Sequence, residues 1–289
     1  MEDAVPTYAV TGATGRLGRL VIDRLLDTGV PAAEIAAVVR TPEKAADLAT
    51  RGVEIRQANY DDPVTLPGAV AGVRRLLLIS GDTPGRRVAQ HTAVVDAAKL
   101  AGVERLIYTS ILKADTTTNP LAPEHRATEE VLAASGLSHT VLRNSWYTEN
   151  YTDQLPQYLQ TGTILGATGG SSVSAATRAD YAAAAAAALT RDEHGNTVYE
   201  LGGTAFTFDE LAAAVSEVTG TTVVHRDLSP AELASTLETV GLDAGTAGFV
   251  AALDHSIAIG ELTTDSDDLS RLIGRPSTPL RDAIRAAHA

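Results

Sequence analysis

The stretch "TGATGRLG", from Thr11 to Gly18, decides the fold of this chain because it joins an apolar run to a helical pattern. The run "YAVTG" is typical of a β-strand, and "GRLGRLVIDRLLDTG" has apolar residues at helical spacing. Three glycines, Gly12, Gly15 and Gly18, follow the spacing G-x-x-G-x-x-G. A strand, a glycine triad and a helix in this order predict a dinucleotide-binding turn. A plain glycine-rich turn is the alternative.

Each glycine of the triad has a physical task in such a turn. The first permits the tight bend, the second lets backbone amides approach a pyrophosphate, and the third allows close helix–strand packing. The start of the helix adds unsatisfied N–H groups and the positive end of its dipole. We therefore predict that the turn from Gly12 to Gly18 binds the pyrophosphate.

The first half of the chain alternates short apolar runs with helical stretches. Strand-like runs such as "EIAAVVR", "RRLLLIS", "VERLIYTS" and "HTVLRN" are separated by patterns such as "VAQHTAVVDAAKLAG". Strands that are apolar on both faces and alternate with helices indicate a parallel sheet covered on both sides. The predicted fold class is therefore α/β, a doubly wound parallel sheet of the Rossmann type.

The second half is less regular. Short strands ("TILGA", "TVYELGG", "TVVHRDL") lie between helices, and Ser229–Pro230 and Thr278–Pro279 are predicted N-cap pairs. We expect a Rossmann dinucleotide-binding core over residues 1–150. Residues 151–289 are expected to form a smaller C-terminal α/β lobe with the substrate pocket, parts of which complete the core.

Composition excludes several functional classes. The chain of 289 residues has a net charge of −13, and residues 151–289 hold 7 basic against 18 acidic side chains, so nucleic acid is not an expected partner. There is no cysteine, hence no disulfide or thiolate metal site, and we predict no metal. No apolar run reaches the roughly 18 residues of a membrane span. The acidic start "MEDAVPTYAV" is unlike a secretion signal, so we expect a cytoplasmic protein.

The end of the second strand predicts which dinucleotide is bound. In "AVVRTPEKA", Arg40 ends the strand, Lys44 follows one helical turn later, and no acidic residue stands at the strand end. Arginine can fork onto a 2′-phosphate and lysine can add a point charge, which favours NADP(H) over NAD(H). An exposed arginine and lysine without this role are the alternative. Asn59, after the third strand, is either an adenine contact or a turn residue.

The Tyr-x-x-x-Lys pair of many short-chain dehydrogenases is absent after the fifth strand. The position expected for the lysine holds His125, and the position expected for the tyrosine holds Leu121, which has no proton to give. This absence argues against alcohol dehydrogenation and sugar epimerisation.

Several further motifs carry a family resemblance. Together with "TGATGRLG", the segments "VVRTPEKA", "YTSILKAD", "EHRATEEVL", "TVLRNSWYTENY", "SAATRADYAAAA" and "LIGRPSTPL" resemble the NmrA-like atypical short-chain dehydrogenase/reductases. Within that family they are similar to the type 2 NAD(P)H:quinone oxidoreductases and the related triphenylmethane reductases. The resemblance covers nearly the whole chain and implies a reductase that takes hydride from NADPH without a flavin. Lys113, where we expect a smaller or less basic residue such as histidine, departs from the pattern.

The resemblance also implies roles for residues at the strand ends. The pyrophosphate would be bound by the glycine turn, that is by Gly12, Ala13, Thr14, Gly15, Arg16, Leu17 and Gly18. Further cofactor contacts would come from Ile79, Ser80, Thr109, Ser110, Asn144, Ser145, Trp146 and Arg178. The acceptor pocket would be bounded by Trp146, Tyr147 and Tyr151. These positions agree with the rule that ligands bind at the carboxyl ends of strands in open α/β sheets.

The residues themselves are compatible with such a reductase. A quinone accepts hydride readily, so positioning two planar rings face to face supplies much of the catalysis. Trp146 is either an acceptor platform or a packing residue, and His125 is either a proton donor or a helix-surface histidine paired with Glu129.

Two functions besides quinone reduction remain open: a non-catalytic NADP(H)-sensing regulator, and a reductase of triarylmethane-type dyes. The candidate partners are a small quinone and, as a homodimer, a second copy of the chain.

Overall fold

The computed structural model describes residues 6–192 and 195–289. Residues 1–5, which contain most of the acidic start, lie outside the described residues. The nine strands of the described chain are β1 (Tyr8–Thr11), β2 (Ile35–Val39), β3 (Glu54–Gln57), β4 (Arg75–Leu78), β5 (Arg105–Ile111), β6 (Ser138–Asn144), β7 (Thr163–Gly166), β8 (Thr197–Leu201) and β9 (Val224–Asp227).

The α-helices of the same residues connect and flank these strands. They are α1 (Arg16–Asp27), α2 (Ala46–Thr50), α3 (Leu66–Val70), α4 (Arg87–Leu100), α5 (Ala122–Ala134), α6 (Glu149–Thr152), α7 (Leu155–Thr161), α8 (Arg178–Thr190), α9 (Phe208–Thr219), α10 (Pro230–Thr239), α11 (Ala244–Ala258), α12 (Asp268–Ile273) and α13 (Leu280–His288). None of them combines the length and the apolarity needed to cross a bilayer.

The described chain divides into two units. The first unit comprises residues up to 111, 123–143 and 178–199, and the second comprises 112–122, 144–177 and 200–289. After contributing β7 to the second unit, the chain thus returns to the first unit with α8 and the first three residues of β8.

A seven-stranded sheet with the order β3-β2-β1-β4-β5-β6-β8 forms the centre of the first unit. The pairs from β3 to β5 are parallel; Val10, for example, is in register with Ala37 on one side and Leu77 on the other. The strand order reverses between β1 and β4, which is the switch point where doubly wound sheets bind ligands. The predicted doubly wound parallel sheet is confirmed.

Burial explains why these segments form central strands. Every residue of β2 and β5 is buried, which fits strands covered by helices on both faces. Helix α8, with its run of alanines from Ala182 to Ala188, packs against α1. Small side chains let two helix backbones approach closely, so the alanine run has a packing role.

The second unit has its own core and its own small sheet, in which β7 pairs with β9 in parallel. At α10 the predicted Ser229 cap is confirmed, because the Ser229 hydroxyl accepts the Glu232 N–H in a capping box. The predicted cap at Thr278 is wrong. Helix α13 begins at Leu280 with Pro279 at the N-cap and no side-chain cap, so this helix is held by its buried Ile284 instead.

Candidate functional site: a glycine-lined cradle in the first unit

The loops at the carboxyl ends of β1 to β4 surround a cavity of about 430 Å³. Its volume lies within the range of small-molecule sites. It is lined by Gly12, Thr14, Gly15, Arg16, Leu17, Gly18, Val38, Val39, Arg40, Lys44, Ala58, Asn59, Tyr60, Ile79, Ser80, Gly81, Asp82, Thr83 and Gln90. The predicted switch-point residues of β1, β2, β3 and β4 therefore line one cavity, which we call the cradle.

The glycines of the cradle meet the conditions that the sequence predicted for them. Gly12 has a φ of +59°, a left-handed conformation that favours glycine. A Cβ on Gly18 would lie 2.4 Å from Gly12 O, and one on Gly15 would lie 3.1 Å from the same atom. Ala13 is buried, and its N–H donates to Val38 O, so it supports the turn and is not among the lining residues.

Helix α1 points an uncapped N-terminus at the cradle. Its N-cap residue is Gly15, which has no side chain to cap the first turn. The first N–H groups of a helix have no intrahelical partner, and the helix dipole is positive there. An anionic diphosphate would satisfy these donors, so the turn fits the pyrophosphate of a dinucleotide.

Two cations line the cradle without a carboxylate partner. Many arginines of the first unit are paired, for example Arg74 with Glu104. Arg40 and Lys44 are exposed, and no ion pair joins either of them to any residue within 6–192 or 195–289. Because their charges are uncompensated, they can bind a phosphate without first breaking a salt bridge.

Asn59 is a turn residue that also lines the cradle, and its predicted adenine contact stays a prediction. Its Oδ1 accepts the Asp61 N–H at 3.1 Å, which makes it a turn residue, and it also lines the cradle. Since Oδ1 is used in the turn, the Nδ2 group is the donor left for an adenine acceptor. Next to it, Tyr60 donates to Thr11 Oγ1 and to Ile79 O, and so joins the loop after β3 to β1 and to the end of β4.

The residues predicted at the end of β5 are buried in the first unit and are not among those that line the cradle. Thr109 Oγ1 accepts the Ser80 N–H at 2.9 Å. Ser110 donates to Glu129 Oε1 at 2.5 Å. Arg143 donates to both oxygens of the same carboxylate, from Nε to Oε1 at 3.1 Å and from Nη2 to Oε2 at 2.7 Å. The hydroxyl proton of Ser110 is thus committed to an ion-paired glutamate, which leaves its oxygen as an acceptor.

His125 has a different environment from that of a surface histidine. It is only 7% exposed, and its Nδ1 lies 2.8 Å from the Tyr108 hydroxyl. Burial, with smaller contributions from Arg87 and His91, lowers its pKa to about 3. The predicted surface pair with Glu129 is wrong, because the helix α5 face that carries His125 packs inward and Glu129 binds Arg143 instead.

The remaining predicted residues belong to the second unit, except Arg178, which is half-buried at the start of α8. Asn144 is buried with an Oδ1 that has no hydrogen-bond partner among the described residues. Ser145 donates its hydroxyl proton to Leu262 O at 3.0 Å. Tyr147 is half-buried and forms an isolated bridge with Ala176.

Two of the predicted pocket aromatics take part in the core of the second unit. Trp146 is half-buried and packs against the main hydrophobic cluster of that unit. Tyr151 is 6% exposed, and its ring makes edge contacts with Phe206 at 5.8 Å and Phe208 at 5.3 Å. Both rings therefore have a packing role, whatever further part they take in binding an acceptor.

Sequence reasoning missed several residues of the cradle: Tyr60, Gly81, Asp82, Thr83 and Gln90. A signal was present for Tyr60, which directly follows Asn59, and for Gly81, a glycine just beyond an apolar strand. Gln90 is in the middle of a helical pattern, and only the packing of α4 brings it to the cavity.

Comparisons with known proteins agree with this geometry. The family model described as NAD(P)H-binding matches residues 12–192. Quinone oxidoreductase 2 of Escherichia coli (strain K12) is 47% identical over 277 residues, or 96% of each chain.

Two solved structures are similar over almost their whole length. The E. coli NADPH-dependent quinone oxidoreductase in complex with NADPH has a TM-score of 0.94 at 46% identity, covering 98% of this chain and 100% of that one. The triphenylmethane reductase of Citrobacter sp. has a TM-score of 0.92 at 41% identity, covering 97% and 99%.

Proposed function

This chain belongs to the NAD(P)H-binding family, and we propose that it is an NADPH-dependent quinone oxidoreductase. The family resemblance indicated by its motifs is confirmed by the similarity to the E. coli and Citrobacter enzymes. The choice of NADPH as cofactor rests on the cradle, which combines the uncapped N-terminus of α1, the glycine turn, and the side chains of Arg40 and Lys44. The choice of a quinone as the hydride acceptor rests on the full-length similarity to the E. coli quinone oxidoreductase.

The cations of the cradle support NADPH over NADH. Arg40 follows the last residue of β2, where an acidic side chain would accept from the ribose 2′-hydroxyl of NAD. Arginine cannot accept that hydrogen bond, but it can donate to a 2′-phosphate, and Lys44 adds a second positive charge. Neither side chain gives up an ion pair with any described residue in doing so.

When bound, the reduced nicotinamide would supply a hydride. Reduction of a quinone to a quinol needs two electrons and two protons, and the hydride carries both electrons and one proton, so one more proton must arrive. His125 is neutral at pH 7 because its pKa is lowered to about 3, which makes it a poor source of that proton. The chain would therefore act chiefly by binding and orienting the two reactants, with water as the proton source.

The remaining site residues are part of the same proposal. Thr109 and Ser110 would border the nicotinamide ribose, where the Ser110 oxygen would accept a hydrogen bond. Asn144, Ser145, Trp146, Tyr147, Tyr151 and Arg178 are proposed for the nicotinamide and acceptor region. A homodimer and a cytoplasmic location stay predictions.

The proposal is tested by following reduced-nicotinamide absorbance with purified protein, a benzoquinone or naphthoquinone, and either NADPH or NADH, with the uncatalysed rate subtracted. We expect saturable turnover that favours NADPH. Arg40→Ala should raise the KM for NADPH by about tenfold and leave that for NADH almost unchanged, since a charge-assisted hydrogen bond to the phosphate contributes roughly 1.5–3 kcal/mol, less at an exposed site.

Arg74→Ala is the matched control, because Arg74 is an exposed arginine of the same unit whose partner is Glu104. It should leave both KM values unchanged. An equal effect of Arg40→Ala on NADPH and NADH would remove Arg40 from the phosphate site.

A second candidate, reduction of triarylmethane dyes, is favoured by the similarity to the Citrobacter reductase. It would use the same cradle and the same hydride, so a dye included in the acceptor panel decides between the two by kcat/KM. Tight binding of NADPH with no turnover on any acceptor would instead favour the regulatory function.

A further inference from the structure

The three residues that follow β4 form a wall of the cradle that is held by side chains. Ile79, Ser80 and Gly81 all line the cavity. The Ile79 N–H donates to Thr11 Oγ1 at 3.0 Å, and the Ser80 N–H donates to Thr109 Oγ1 at 2.9 Å. The hydroxyl groups of Thr11 on β1 and Thr109 on β5 thus accept the hydrogen bonds that neighbouring backbone carbonyls accept within a sheet. We call residues 79–81 the β4 wall.

Gly81, the last residue of the β4 wall, is hydrogen-bonded to two side chains of helix α4. Its N–H donates to His91 Nε2 at 3.0 Å, and its carbonyl oxygen accepts from Arg87 Nε at 2.7 Å. A Cβ on Gly81 would lie 3.0 Å from Gln90 Oε1, which shows that α4 also packs close to this glycine. Two side chains of one helix therefore hold both the N–H and the carbonyl oxygen of Gly81.

The hydrogen bond between Gly81 and His91 requires one tautomer of the imidazole. His91 Nδ1 lies 2.9 Å from Thr128 Oγ1, and the Thr128 hydroxyl donates its own proton to Glu124 O at 2.8 Å. The Thr128 oxygen must then accept, so the His91 proton is on Nδ1 and the lone pair on Nε2 faces Gly81. His91 is fully buried, and burial lowers its pKa to about 4, which keeps the ring neutral at pH 7.

We propose that His91 is a positioning residue for the dinucleotide: by accepting the Gly81 N–H it holds the β4 wall in the shape that the bound cofactor needs. The inference rests on the proposed function, since it assumes that the cradle takes NADPH. His91 is not among the residues that line the cradle and acts through Gly81. Its effect should therefore be the same for NADPH and NADH, unlike that of Arg40, which addresses the 2′-phosphate alone.

Two substitutions separate the bond to Gly81 from the bond to Thr128. In His91→Asn the short amide reaches the place of Nδ1, keeps the contact with Thr128 and leaves the Gly81 N–H without an acceptor. In His91→Gln the longer amide reaches the place of Nε2, so its oxygen can accept from Gly81. Leaving the half-buried Gly81 N–H without this partner costs enough for about a tenfold change in an equilibrium constant.

The experiment measures KM and kcat for both dinucleotides with a quinone, and the Kd for NADPH by fluorescence titration. We expect His91→Asn to raise KM and Kd by about tenfold for NADPH and KM equally for NADH, with kcat at saturation nearly unchanged, as for lost binding that is uniform along the reaction. His91→Gln should restore most of the affinity. His139→Asn is the matched control, because His139 is a buried histidine of the same unit that binds Leu137 O, and it should change neither constant.

Thr128→Val provides a second route if His91→Asn fails to fold, since it removes the oxygen that fixes the tautomer without touching the cradle. It should raise both KM values by about threefold, a smaller effect because the Nε2 lone pair is still available part of the time. Wild-type affinities in His91→Asn and Thr128→Val, in a protein that binds and oxidises NADPH, would overturn the positioning role alone. A wild-type protein that does not bind NADPH would overturn the proposed function and this inference together.

Discussion

Acid should destabilise this protein through His125. The buried ring has a pKa of about 3 in the folded protein, against 6.5 for an ordinary histidine. Between these two values the unfolded chain binds a proton that the folded chain does not, so the free energy of unfolding falls as the pH falls. The stability that neutral His125 contributes is fully present above pH 6.5 and is lost progressively toward pH 3.

The size of the effect follows from the two pKa values. Acidification from pH 7 to about pH 4.5 should remove about 2.5 kcal/mol of unfolding free energy through His125 alone, because each pH unit between the two values is worth about 1.4 kcal/mol. Other groups titrate over the same range. His91, with a pKa lowered to about 4, acts in the same direction, and Asp254, with a pKa raised to about 6 by burial, acts in the opposite direction.

A comparison with His125→Asn isolates the contribution of one ring. The asparagine amide takes the place of Nδ1 beside the Tyr108 hydroxyl and does not titrate. Urea unfolding of both proteins should show that the advantage of the wild type shrinks by about 2.5 kcal/mol between pH 7 and about pH 4.5. A difference that is independent of pH would refute the neutral, buried state of His125.

The same variant tests the chemistry. His125→Asn should keep most of the quinone turnover, since a ring that is neutral at pH 7 is a poor acid. A loss of about a thousandfold, which lies within the range of general acid–base catalysis, would identify His125 as the proton donor.

Two further substitutions test local geometry. Gly18→Ala places a Cβ 2.4 Å from Gly12 O, so it should abolish NADPH binding in a fluorescence titration and lower the melting temperature, whereas Gly68→Ala, with open space around it, should change neither. Ser229→Ala removes a capping box and should cost about 1 kcal/mol in thermal unfolding. Ser235→Ala, at an exposed position within the same helix, should not destabilise the protein; equal losses for the two serine variants would contradict the capping role.

The sequence by itself determined the features that depend on neighbouring residues. Apolar runs with no polar face specified the central strands. The spacing of Gly12, Gly15 and Gly18 specified the turn, because each glycine is required by backbone atoms only a few residues away. The position of Arg40 directly after β2 placed it at the cradle, since the carboxyl ends of parallel strands lie at the same edge of the sheet. Ser229 was predictable for the same reason, as a cap acts within one helical turn.

Only the tertiary structure decided the features that depend on which faces pack together. A histidine in a helical pattern has the same local signal whether it faces solvent or the sheet. Nothing in "EHRATEE" therefore predicted the hydrogen bond between His125 and Tyr108, which is 17 residues earlier. The hydrogen bonds of Arg87 and His91 with Gly81 depend likewise on how α4 lies against the end of β4. Local spacing determines where a chain turns, whereas the pairing of polar groups distant in sequence is determined when burial removes water and makes each unmet hydrogen bond costly.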